Sequence, residues 1–87
     1  MLQFEELEQS LKELQPDLDD LADALGLSGM RKEIEELDAK AAAPNFWDDM
    51  ENSQKILQRS SMLKNKIAAY EKLKSSYEDT MALIELA

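Results

Sequence analysis

Phe4, Leu7, Leu11, Leu14, Leu18, Leu21 and Leu25 follow one another at alternating steps of three and four residues. That spacing draws a narrow apolar stripe along one side of a helix, the a/d seam of helices lying side by side. Pro16 falls inside the stripe, where a proline removes a backbone hydrogen bond and costs about 3 kcal/mol. The stripe keeps its phase on both sides of Pro16, which predicts one kinked helix over about residues 3–25. The alternative is two short helices, with Pro16 opening the second and Asp17, Asp19 and Asp20 favouring its N-terminal dipole.

Gly26-Leu27-Ser28-Gly29 is the clearest break in the pattern. Gly26 suits the left-handed position after a helix, and Ser28 suits the cap of the next. A second helix is predicted over about residues 30–42, with Met30, Ile34, Leu37 and Ala41 inward. Pro44-Asn45 ends it, and Asn45 or Asp48 caps a third helix over about residues 48–87. Asp48, Asp49 and Glu51 then occupy the first turn, where the dipole favours anions. Ile56, Leu63, Tyr70, Tyr77 and Ile84 recur every seven residues, with Ile67 and Met81 between them. Ser60 and Lys74 hold the other intermediate positions and weaken the seam there.

A continuous third helix would be about 60 Å long at a rise of about 1.5 Å per residue, too long for a compact core of this size. The predicted fold class is therefore all-α, an elongated three-helix hairpin or open bundle with coiled-coil-like seams and no β-sheet. Helix one at about 35 Å and helix two at about 20 Å together match helix three. The first two are expected to lie end to end against the third, although a short linker also permits helix two to fold back on helix one. Residues 1–87 read as a single helical domain. The apolar ending Leu83-Ile84-Glu85-Leu86-Ala87, with no capping signal, leads us to expect a longer parent protein.

Composition narrows the chemistry. The chain holds 19 acidic against 10 basic side chains, a net charge of −9. The excess is concentrated in residues 1–29, where eight acids stand against Lys12 alone. Such a surface repels nucleic acid as a whole, so direct nucleic-acid binding is not expected from the acidic N-terminal half. There is no Cys and no His. Thiolate zinc sites, disulfides, imidazole bases and His-assisted nucleophiles are thereby excluded. No apolar run reaches the roughly 20 residues of a membrane span, and the N-terminus lacks the basic start and apolar stretch of a signal peptide. The expectation is a cytoplasmic, non-enzymatic chain without cofactor or metal, and without a membrane partner.

Three stretches invite a functional reading. The acids between Asp17 and Asp23 suggest a calcium loop, but that loop needs Gly at its sixth position and Glu at its twelfth, where this chain has Ala22 and Ser28. They read better as a solvated helix face. Lys55, Arg59, Lys64, Lys66, Lys72 and Lys74 form the base-rich stretch, and Lys55, Arg59 and Lys66 lie on nearby helical faces. They are a possible contact face for RNA or an acidic protein, with pairing to the acidic first helix as the plainer alternative. Phe46-Trp47-Asp48-Asp49 is the most distinctive segment. Its aromatics are expected to plug the end of a bundle, with a partner-binding hot spot as the second reading.

Arg31-Lys-Glu-Ile-Glu-Glu-Leu-Asp, Pro44-Asn-Phe-Trp-Asp-Asp, Gln54-Lys-Ile-Leu and Tyr70-Glu-Lys-Leu-Lys together resemble the N-terminal helical domain of the bacterial peptide chain release factor 2 family, which reads UGA and UAA. The match runs along the whole chain, and its most specific element is residues 44–49. The family's Ser-Pro-Phe codon-reading tripeptide and Gly-Gly-Gln hydrolysis loop do not occur here, so no codon-reading or catalytic residue carries over. The resemblance implies a docking and positioning domain that contacts the ribosome near the stalk base and packs against downstream domains of the same factor. The other reading of the seams is a self-associating coiled coil unrelated to translation. A homodimer of the isolated chain is compatible with either.

Overall fold

The computed structural model describes residues 2–86, and among them every regular element is helical. α1 spans Leu2–Lys12, α2 Leu14–Leu25, α3 Leu27–Ala41 and α4 Met50–Leu86, with a single 3-10 turn at Phe46–Asp48 before α4. Ala87, the last residue of the predicted third helix, and Met1 lie outside the described residues. Among the described residues, no helix is long and apolar enough to cross a membrane.

The predicted kinked helix over residues 3–25 is instead two helices, α1 and α2, separated at Glu13. Pro16 is the physical cause. It has no N–H for the carbonyl of Lys12, and its ring crowds that same carbonyl four residues back. The ladder therefore stops at Lys12, although the Glu13 amide still reaches the Gln9 carbonyl at 3.1 Å. Pro16 does not open α2 but stands third in it, inside the first turn where amides lack helical acceptors. Asp17 follows it in that turn. Lys12 ends α1 in a 3.2 Å ion pair with Glu8, one turn earlier.

Gly26 separates α2 from α3 in the left-handed conformation, with φ of 68°. α3 begins at Leu27, three residues earlier than predicted, and Ser28 lies inside it rather than capping it. The Gly26 carbonyl accepts from the Met30 amide at 2.9 Å, so the glycine backbone itself starts the helix. A similar shift occurs before α4. Neither Asn45 nor Asp48 caps that helix. Asp49 does, its extended backbone letting a carboxylate oxygen accept from the Asn52 amide at 3.2 Å.

The chain forms two compact units. One joins Met1–Leu25 with Ala69–Ala87, and the other is Gly26–Ala68. α4 supplies residues 69–86 to the first and 50–68 to the second. In the first unit, Leu18, Tyr70 and Ile84 are buried, and the Tyr70 hydroxyl donates to the Leu18 carbonyl at 3.4 Å. In the second, Leu27, Leu37, Phe46 and Leu63 form the apolar core, joined by Ser53 and Ser60.

Ser60 does not weaken the seam as expected. It is 5% exposed and donates to an Asp38 carboxylate oxygen at 3.2 Å. Ser53, seven residues earlier, is completely buried. The heptad of α4 thus begins one step before Ile56.

The leucine stripe of the first unit is only half interior. Leu18 is buried and Phe4 and Leu11 are half-buried, whereas Leu7, Leu14, Leu21 and Leu25 are exposed. Leu14, Leu18 and Leu21, with Asp17, Leu73 and Tyr77, border an apolar groove of about 250 Å³.

Candidate docking surface

The segment 42–49 turns the chain between α3 and α4. The Ala42 amide closes α3 on the Asp38 carbonyl at 3.1 Å. The Phe46 and Asp48 amides then bond the carbonyls of Ala43 and Asn45, each at 3.1 Å. This places the two neighbouring aromatics in opposite environments. Phe46 is 7% exposed, in the core of its unit, while Trp47 is 58% exposed. Their rings meet edge to face, with centroids 4.9 Å apart and planes at 88°. The expectation of two aromatic plugs therefore holds for Phe46 and fails for Trp47. A tight turn that aims one side chain inward aims its neighbour elsewhere.

Ser53 fixes this arrangement from α4. Its hydroxyl proton is shared between the Phe46 carbonyl and the Asp49 carbonyl, the latter at 2.8 Å. The Ser53 amide also bonds the Asp49 carbonyl, at 2.9 Å. The turn is thus tied to the first turn of the helix it precedes. Met50, 55% exposed, stands three residues beyond Trp47. Asp48, Asp49 and Glu51 flank Trp47 and Met50 in the sequence. Asp48 and Asp49 also line a cleft of about 310 Å³, together with Lys40, Asn45 and Phe46.

Lys55, Arg59 and Lys66 share one side of α4 at helical spacing, and two of them are engaged. Lys55 pairs with Glu51 on its own helix at 3.5 Å. Arg59 grips Glu33 of α3 with two parallel bonds, Nε to Oε2 at 2.6 Å and Nη2 to Oε1 at 3.1 Å. The bidentate bond lowers the Glu33 pKa, against an opposing desolvation and with help from the guanidinium charge. It raises that of Arg59 for the same reason. Lys64 reaches Asp38 at 3.2 Å. The predicted pairing of these bases with the acidic first helix is replaced by pairing with α3 and with α4 itself. Lys66 borders a shallow depression beside Leu57 and Met62.

Sequence reasoning missed Ser53, whose signal was the heptad carried back from Ser60. The exposed half of the leucine stripe was also missed.

A PCRF domain family model matches residues 30–87. The chain is 36% identical over 86 residues to "Peptide chain release factor 2" of Acidothermus cellulolyticus, covering 99% of this chain and 23% of that protein. It is 33% identical over 82 residues to the protein of the same name from Rickettsia bellii, covering 94% and 22%. With the corresponding Petrotoga mobilis protein it shares 29% over 87 residues, covering 100% and 24%. The chain spans less than a quarter of the length of these relatives. No solved structure matches it.

Proposed function

The chain belongs to the PCRF domain family, and from that premise we propose that it is the domain by which a peptide chain release factor docks on the ribosome and is positioned there. The observation that carries this reading is the alignment of nearly the whole chain with release factor 2 relatives. The UGA- and UAA-reading kind is the form we favour, because the Phe-Trp-Asp-Asp segment fits that family. Codon reading and peptidyl-tRNA hydrolysis would belong to other parts of a longer factor acting in the cytoplasm.

The physical character of the chain suits such a role. In the second unit, ion pairs of Arg59 with Glu33 and of Lys64 with Asp38 hold α3 against α4, a firm support for a docking surface. The contact near the ribosomal stalk base and the packing against the rest of the factor are parts of the same proposal. A self-associating coiled coil unrelated to translation is not favoured, because the family match gives the seams a different context.

Co-sedimentation with purified ribosomes tests the reading. The chain is expected to pellet with ribosomes and to be displaced by a full-length release factor 2. A chain left wholly in the supernatant, at concentrations where the full-length factor pellets, would falsify it.

A further inference from the structure

We infer that Trp47 and Met50 are the anchor of a protein-docking knuckle, and that its partner is a basic protein surface rather than RNA. The inference rests on the ribosome-docking reading above and makes the partner a ribosomal protein.

Trp47 is 58% exposed and Met50 55%, at the start of α4. Two large apolar side chains exposed within four residues of each other on a charged surface suit a contact site better than a single one does. Tryptophan is also the residue most enriched among interface hot spots. The presentation is rigid. Phe46 is buried next to Trp47 in edge-to-face contact, and Ser53 ties the turn to α4. A side chain held on an ordered backbone loses less freedom on binding than one on a loose loop.

Charge selects the partner. Asp48, Asp49 and Glu51 all lie within four residues of Trp47. Lys55 answers Glu51, and Lys40 shares the adjoining cleft with Asp48 and Asp49. A nucleic-acid base could stack on an indole, but single-strand sites combine stacking with a cationic groove for the backbone. Here phosphates would meet carboxylates. A second copy of the chain would bring the same carboxylates to the contact. A protein surface with an apolar pocket and an Arg- or Lys-rich rim satisfies both the knuckle and its surroundings.

The experiment uses the chain with 5-fluorotryptophan at Trp47, its one tryptophan, and purified ribosomes. Binding is expected to broaden the single fluorine resonance. In co-sedimentation, Trp47→Ala is expected to weaken binding by about 30-fold or more, the scale of a hot-spot truncation. Trp47→Phe should recover part of it, and Asp48→Asn should reduce its salt sensitivity. Because Trp47 is exposed, the alanine variant should keep its helicity and melting temperature. Unchanged sedimentation of Trp47→Ala overturns the knuckle and leaves the ribosome reading standing. Failure of the unsubstituted chain to sediment removes both. Equal retention on protein-free ribosomal RNA, or a dimer of the chain abolished by Trp47→Ala, also overturns it.

Discussion

Phe46 and Trp47 differ in exposure by a wide margin, 7% against 58%, although they are adjacent. Truncation should separate them. Phe46→Ala is expected to cost about 3–5 kcal/mol, while Trp47→Ala should cost less than about 1 kcal/mol. Chemical denaturation of the two variants checks this, and similar losses would mean that the indole is packed after all. Ser53→Ala tests the tie beneath them. Without the hydroxyl, the buried Phe46 carbonyl loses its donor, for an expected cost of about 1–3 kcal/mol. Glu33 offers a pH-dependent test. Its carboxyl stays charged to lower pH in the folded chain than in the unfolded one. Its support for folding is therefore present above the unfolded carboxylate pKa and lost as pH falls through the lowered folded value. An NMR titration should show the Glu33 midpoint rising in Arg59→Gln. At high salt it should rise in the unsubstituted chain too, because both partners are more than a third exposed. A midpoint indifferent to Arg59 would sink this account.

At the scale of elements, the helix types and the breaks near Gly26 and Pro44 were legible, since periodicity and turn residues report them directly. The ends were not. Several residues compete for each cap, and the winner depends on backbone geometry, as Asp49 prevailed over Asn45 and Asp48. Pro16 was misjudged for a related reason. The phase of a stripe survives a short interruption of the hydrogen-bond ladder, so continuous phase does not prove a continuous helix. For the docking segment, the residues stood out but their directions did not. Which of two adjacent aromatics points inward is decided by the turn, and the turn is decided by bonds such as that from Ser53. The two glycines give a matched test. Gly26 has φ of 68° and Gly29 is helical, and a Cβ at either would meet nothing within 4 Å. Steric crowding therefore cancels from the comparison. Gly26→Ala should cost about 1–2 kcal/mol for its left-handed backbone. Gly29→Ala should gain up to about 1 kcal/mol from helix propensity. Thermal melts that rank the two the other way would contradict the assigned conformations.

Across the whole molecule, a net charge of −9 sets the background for every encounter. Protein-free RNA should not retain the chain at physiological salt, and a gel-shift assay with ribosomal RNA fragments checks this. Retention that falls steeply with salt would instead reveal a concentrated cationic face. The structure makes such a face small, because Lys55, Arg59 and Lys64 each already have a carboxylate partner.

The two buried serines also settle how α3 and α4 slide against each other. Heptads made only of leucine and isoleucine look alike after a shift of seven residues, so nothing in them forbids slippage. Here a slip one way would bring Ile67 to Asp38 in place of the Ser60 hydroxyl. A slip the other way would carry Ser53 off the Phe46 carbonyl that it serves. Either displacement strands a polar group, so this pair of small notches locks the helices in a single register.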